Sequence, residues 1–265
     1  MSTTEFIYNG LSQESLDSEY NNLNKISNAV EIINLWEKRG EEACALLPCK
    51  LDVKYGPDDM QSMDIFPINK PMGPILAFIH GGYWSSRSKS IGRFLAPFYT
   101  AAGVNFISIG YRLCPAVQIG SIVEDIRNCL DWIFENAQQF DGDNNQIFVA
   151  GHSAGGHLTG LMCSPSGPTY LKGGCSLSGI HDLEPIRLSS LNAQVRLTPN
   201  EVDKYSPVRV AESMVSEEVK LPPIIIAVGA KEGQEYLYQT NRLTDVLNEA
   251  KQPVLKSIIE DGNHF

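Results

Sequence analysis

Residues 146–158 read Gln146-Ile147-Phe148-Val149-Ala150-Gly151-His152-Ser153-Ala154-Gly155-Gly156-His157-Leu158, and within them the chain switches from strand to helix. Ile147–Ala150 is a short, β-rich apolar run. After Ser153, the apolar positions Leu158, Leu161 and Met162 recur at helical spacing. Gly151-His152-Ser153-Ala154-Gly155 is a G-x-S-x-G pentapeptide at that junction. A serine there stands on a sharp, strained turn, and glycines two residues to either side remove Cβ atoms that would meet neighbouring backbone. The helix N-terminus beneath favours negative charge developing beside the hydroxyl. The pattern makes Ser153 a candidate nucleophile.

Outward from this junction, the same alternation continues. Apolar runs at Ile75–Ile79, Val104–Ile109, Cys175–Leu177, Ile224–Val228 and Val254–Ile259 are bounded by Gly or Pro. Amphipathic stretches near 88–102, 118–138, 154–164 and 235–250 separate them. Strands apolar on both faces, alternating with helices, predict a doubly wound, mostly parallel sheet of about eight strands covered on both sides. A hairpin-like pair, Leu51–Tyr55 and Ser62–Phe66, precedes it across the turn signal Gly56-Pro57-Asp58-Asp59. Residues 11–47 read as polar-rich helix. The expectation is one domain over 1–265, with a small helical cap from about 11–47 and 183–216, because these stretches lie outside the alternation. In such a sheet the active site sits at the carboxyl ends of the strands.

His80-Gly81-Gly82-Tyr83-Trp84 follows the strand Ile75–Ile79. Its consecutive glycines let the N–H groups of Gly81 and Gly82 turn toward an oxyanion, together with the N–H of Ala154. Five histidines are candidates for the base. His80 is expected to brace its loop, His152 to point away from the serine, and His157 to pack in the helix. His181 is expected near the pocket rim, ahead of any plausible acid in the chain. His264 follows the last strand, as the order Ser, acid, His requires. The acid belongs in Gly229-Ala230-Lys231-Glu232-Gly233-Gln234-Glu235, which holds no aspartate. Glu232 is the candidate, since Glu235 already falls in the following helix.

Composition narrows the partners. The 31 acidic against 21 basic residues give a formal charge of -10, which argues against a nucleic-acid or anionic-membrane surface. The first twenty residues lack the basic and apolar regions of a signal peptide. No stretch reaches the ~18 apolar residues of a membrane span. Six cysteines without CxxC pairing predict free thiols, no metal site and a cytoplasmic location.

These residues together resemble the kynurenine formamidases (arylformamidases), a branch of the hormone-sensitive-lipase-like α/β-hydrolases. The resemblance spans nearly the whole chain. It is carried by His80-Gly81-Gly82-Tyr83-Trp84 with Ser85 and Lys89, by Gly151–Leu158, and by Leu177-Ser178-Gly179-Ile180-His181-Asp182-Leu183-Glu184-Pro185-Ile186 running on through Leu197-Thr198 to Ser206-Pro207. The family's acid loop has the form V-G-x-x-D-S-P-E-F-x-x-Q-S. Here Glu232 takes the aspartate's position and Gly233-Gln234 replaces Ser-Pro. The family's H-F dipeptide matches His264-Phe265, after which family members continue into a helix and this sequence stops.

The resemblance implies an α/β-hydrolase fold and hydrolysis of an aryl N-formyl amide, with no cofactor and no metal. The substrate is then a small, aromatic acyl compound. Ser153, His264 and Glu232 would be nucleophile, base and orienting acid, with Gly81, Gly82 and Ala154 as oxyanion donors. Tyr83 and Trp84 either wall the substrate pocket or pack behind the loop; both readings stay open. A carboxylesterase or amidase on another small acyl substrate is the first alternative, and a non-catalytic hydrolase-fold binding protein the second. A homodimer stands as an alternative to a monomer.

Overall fold

The computed structural model describes residues 5–214 and 219–265, so Val215 and Ser216 of the expected cap lie outside the described residues. Eight strands form one sheet in the order β1-β2-β4-β3-β5-β6-β7-β8. They are β1 (Lys50–Lys54), β2 (Ser62–Phe66), β3 (Gly73–Ile79), β4 (Asn105–Ile109), β5 (Gly142–His152), β6 (Gly173–Leu177), β7 (Ile224–Gly229) and β8 (Val254–Ile259). β1 and β2 pair antiparallel, and β2 runs antiparallel to β4. β4, β3, β5, β6, β7 and β8 are mutually parallel. This is the mostly parallel sheet of eight strands expected from the strand–helix alternation.

The helices are α1 (Gln13–Glu19), α2 (Asn22–Lys25), α3 (Ala29–Leu46), α4 (Ala96–Ala101), α5 (Ile119–Asn136), α6 (Ala154–Met162), α7 (Glu184–Leu188), α8 (Asn192–Val195), α9 (Pro199–Tyr205), α10 (Pro207–Ser213) and α11 (Gln234–Glu249). The stretch 11–47 is therefore three helices. Asn21 breaks it by capping α2, its side chain accepting from the Asn24 N–H. The stretch 88–102 divides likewise into a 3-10 segment over Lys89–Leu95 and α4.

The main core lies between the sheet and α5, α6 and α11, with Ile75, Ile79, Ile107, Ile147 and Val149 fully enclosed. A second cluster on the opposite face joins Phe66, Phe78, Ala96, Phe106 and Ala150, with Cys44 and Leu47 at the end of α3 packed against it. Burial on both faces is complete for β2 and β4 but not for β8, which pairs only with β7 and leaves Leu255, Ile258 and Ile259 at least half exposed. Two buried acids brace the crossovers. Asp64 accepts from Arg93 Nε at 2.8 Å, and Asp125 holds Arg112 through a pair of guanidinium bonds. The Asp64 bond ties the segment after the Gly81-Gly82 turn to the sheet.

Candidate active site

Ser153 occupies the turn between β5 and α6 with φ +56° and ψ -117°, outside the regions that L residues ordinarily adopt. Close backbone approach enforces the turn. A Cβ on Gly155 would stand 2.0 Å from the Ile79 carbonyl oxygen, and one on Gly151 2.2 Å from that of Gly155. Ser153 donates its N–H to the Leu177 carbonyl at 2.8 Å and accepts from the His157 N–H at 3.0 Å. Its Oγ is thereby fixed at the carboxyl edge of the sheet, 3.1 Å from His264 Nε2.

His264 is buried, and its Nδ1 donates to Glu232 Oε2 at 2.6 Å. The other carboxylate oxygen accepts from Ser178 Oγ at 2.5 Å and from the Gly229 N–H at 2.8 Å. Burial raises the Glu232 carboxyl, but the bonds from His264, Ser178 and Gly229 outweigh it and leave the group below the ordinary glutamate range. Glu232 is therefore a charged acceptor at neutral pH. Glu235 lies in the first turn of α11, as its position in the sequence suggests, and its carboxyl is pushed up by burial and then by Glu19.

Opposite this array stand the glycines of the β3 loop. A Cβ on Gly81 would come within 3.1 Å of the Ser153 Cβ, so the loop lies directly against the serine. Among the described residues, the N–H groups of Gly81, Gly82 and Ala154 have no protein acceptor. Ala154 opens α6, where the first N–H groups are free of the helix ladder. His80 braces the loop as expected. Its Nδ1 donates to the Gly81 carbonyl at 2.7 Å, its ring stacks on Tyr111, and burial lowers its pKa to about 4.

Several side chains stand elsewhere than the sequence suggests. Trp84 does not face the cavity: it is wholly buried, its Nε1 donating to His157 Nδ1 at 3.1 Å. Of the two readings of the aromatic pair, core packing holds for Trp84, while Tyr83 lines the cavity. His152 does not point away from the site. It lines the cavity, donates from Nε2 to the His264 carbonyl at 2.8 Å, and packs 4.8 Å from the His264 ring. Burial, then the neighbouring His264, lowers its pKa to about 4. His181 is not at the rim either, being fully buried with both ring nitrogens unpartnered among the described residues. Reading the sequence misses Ser178, Trp36 and the supporting role of His152. Only the position of Ser178 after β6, beside the acid-bearing strand, could have signalled any of them.

The cavity over Ser153 measures about 870 Å³. Asn21, Asn22, Leu23 and Lys25 from α2 and its flanks line one wall, with Ser190 and Leu191 from the 183–214 stretch. Ile33 and Trp36 of α3 line another, with Ile91, Phe94, Leu95 and Phe265. Trp36 stacks on Phe94 at 5.1 Å and meets the His152 ring edge-on at 6.2 Å, so an aromatic wall leads by way of His152 toward His264. The far end of α3 packs on the sheet face instead. Among the described residues, no group of His, Cys, Asp and Glu could hold a metal ion, and no helix is long and apolar enough to cross a membrane. The six cysteines are unpaired.

The family model BD-FAE matches residues 63–180, the stretch from β2 through the Ser153 turn to β6. Kynurenine formamidase of Danio rerio is 25% identical over 232 residues, covering 85% of this chain and 78% of that protein. Kynurenine formamidase of Salmo salar is 27% identical over 239 residues, with the same coverage. Among solved structures, a putative thioesterase from Silicibacter sp. TM1040 superposes with a TM-score of 0.79 at 25% identity, over 93% of this chain and 91% of that one. Fold, site geometry and relatives agree: the chain is a hydrolase of the α/β-hydrolase fold, similar over most of its length to the kynurenine formamidases.

Proposed function

We propose that this chain is a serine hydrolase that cleaves an aryl N-formyl amide or a similar small acyl amide or ester, with Ser153 as nucleophile. The observation that carries the reading is the unbroken hydrogen-bond run from Ser153 Oγ through His264 to Glu232. Ser153 Oγ attacks the acyl carbon while its proton passes to His264 Nε2. Glu232 holds Nδ1–H and offsets the imidazolium charge that forms. The N–H groups of Ala154, Gly82 and Gly81 receive the oxyanion, each such donor contributing ~10²–10³-fold in comparable sites. His264 then protonates the departing amine or alkoxide, and water attacks the acyl-enzyme by the reverse route. α1, α2 and the 183–214 stretch act as the cap that closes the cavity. A cytoplasmic location suits the unpaired thiols.

A carboxylesterase acting on a larger acyl group is the second reading. A formyl group fills little of an 870 Å³ cavity whose α3 side is apolar and aromatic, which favours it. Two measurements test the pair. A fluorophosphonate probe should label wild type at Ser153, mapped by peptide mass, and should fail on Ser153→Ala. A hydrolysis panel of a formyl-anilide, short p-nitrophenyl esters and bulkier aryl amides then separates the readings by kcat/KM. Labelling at another residue, or none, would remove the serine mechanism.

A further inference from the structure

The loop beside Ser153 is strained over three successive residues, with φ of +113° at Gly82, +49° at Tyr83 and +54° at Trp84. Two non-glycine residues in that region persist only where surrounding contacts over-determine them. Trp84 is held by its bond to His157 and by its carbonyl, which accepts from the Cys114 N–H at 2.8 Å. Tyr83 is held through its hydroxyl, which donates to the Tyr20 carbonyl at 2.6 Å. Asn22 Nδ2, from α2, lies 3.0 Å from Tyr83 Oη and 2.8 Å from Tyr236 Oη, and the two phenol oxygens are 2.9 Å apart.

The protons in this group can be counted. The single Tyr83 proton is committed to a carbonyl that can only accept, so Tyr236 must be the donor between the two phenols. The two amide hydrogens of Asn22 are divided between the same two oxygens. Every donor is used, the condition under which a buried polar network rigidifies its surroundings. Tyr236 carries the effect to the base, because its ring packs 4.9 Å from the His264 ring at 53°. The group is also secured from outside, where Glu19 accepts from the Glu235 N–H and Gln239 donates to Tyr20 Oη at 2.7 Å.

We propose that Asn22, Tyr83 and Tyr236 form a positioning junction that holds the strained glycine loop and the His264 imidazole in register on either side of Ser153. The cap residue Asn22 thereby becomes part of what sets the turnover rate. The inference rests on the serine-hydrolase reading above. None of the three side chains makes or breaks a bond in the reaction, although the Tyr236 hydroxyl approaches Ser153. Their effect is on the placement of groups that do, for which an error of about 1 Å costs ~10²-fold.

The test uses the full chain with Tyr83→Phe, Tyr236→Phe, the double variant and Asn22→Ala, and Tyr238→Phe on the exposed side of α11 as control. Each junction variant should lower kcat about ten- to a hundredfold while KM moves about twofold or less. Fluorophosphonate labelling of Ser153 per folded molecule should slow by the same factor. The double variant should be no worse than the worse single one, since both break one unit. The control should match wild type. Phenylalanine variants that melt early yet label and turn over at wild-type rates, or losses that simply multiply in the double variant, would overturn the junction. If Asn22→Ala fails to fold, the phenylalanine pair decides. A wild type unlabelled at Ser153 overturns the junction and the serine mechanism together. A labelled wild type with unaltered phenylalanine variants overturns the junction alone.

Discussion

Ser153 and His264 stand 3.1 Å apart, yet the chain fixes them by different means. Around Ser153 the constraint is backbone against backbone within neighbouring strand–helix units. Gly151, Gly155 and the Ile79 carbonyl approach so closely that no side chain fits between them. Around His264 the constraint comes from side chains on separate elements. Glu232 reaches it from the loop after β7, His152 from the end of β5 and Tyr236 from α11. Changes on the serine side should therefore break fold and activity together, unless they touch only the hydroxyl. Changes on the histidine side should lower activity and spare the fold.

The largest effect belongs to the hydroxyl itself. Ser153→Ala should lose ~10⁴-fold or more in kcat with an unchanged melting temperature, because only Oγ is removed. Near-normal turnover in that variant would end the nucleophile assignment. Next comes the acid. Glu232→Gln should lower kcat by up to about 10⁴-fold, since a neutral amide stabilises the wrong imidazole tautomer and offsets no charge. Glu235→Gln, whose carboxyl does not reach His264, should keep nearly full kcat. Equal losses in the two variants would remove the contrast on which the assignment rests.

Gly155→Ala probes the other half of the comparison. Its Cβ would meet the Ile79 carbonyl at 2.0 Å, so β3 or α6 must move. A destabilisation of about 3 kcal/mol is expected in urea, accompanied by loss of fluorophosphonate labelling. An alanine variant as stable as wild type would mean that backbone packing does not set the turn.

The smallest effect per group is set by pH. Burial lowers His80, His152 and His157 to about 4 and His181 to about 3, against 6.5 for an exposed imidazole. The unfolded chain thus binds more protons than the native one below pH 6.5. The stability these neutral histidines contribute is complete above that pH and is lost as pH falls toward 4. The slope is up to about 1.4 kcal/mol per histidine per pH unit. Urea midpoints at pH 7 and pH 5 measure it. His181→Phe should flatten the slope, and equal midpoints at the two pH values would contradict the neutral burial of these rings.

Much of this molecule was legible before its structure. The apolar runs gave β4, β7 and β8 to within one residue, because a parallel strand buried or half-buried between helices needs β-branched side chains over four to eight positions. Gly151-His152-Ser153-Ala154-Gly155 defined the turn because the steric demand is local, and short-range sterics are written in adjacent residues. Glu232 and His264 were singled out from chain order, which the strand connections of the fold impose, and the structure brings them within hydrogen-bond distance. What sequence could not decide was the direction of each side chain. Tyr83 and Trp84 are neighbours of similar chemistry, and one lines the cavity while the other is core. His152 reads as a passive residue of the turn, yet its ring bonds the backbone carbonyl of His264. Trp36 and Asn22 carry no motif, and Tyr236 falls at the aromatic position of the acid-loop pattern without revealing what it meets. Their roles depend on contacts between distant stretches of sequence, 61 and 214 residues apart in the bonds from Asn22 to Tyr83 and Tyr236. Local pattern determines which element forms and where a turn must be glycine. Which side chains meet over Ser153 is decided only when the sheet, α11 and the α2 segment pack together, because hydrogen bonds and ring contacts act over a few ångströms and depend on long-range chain closure.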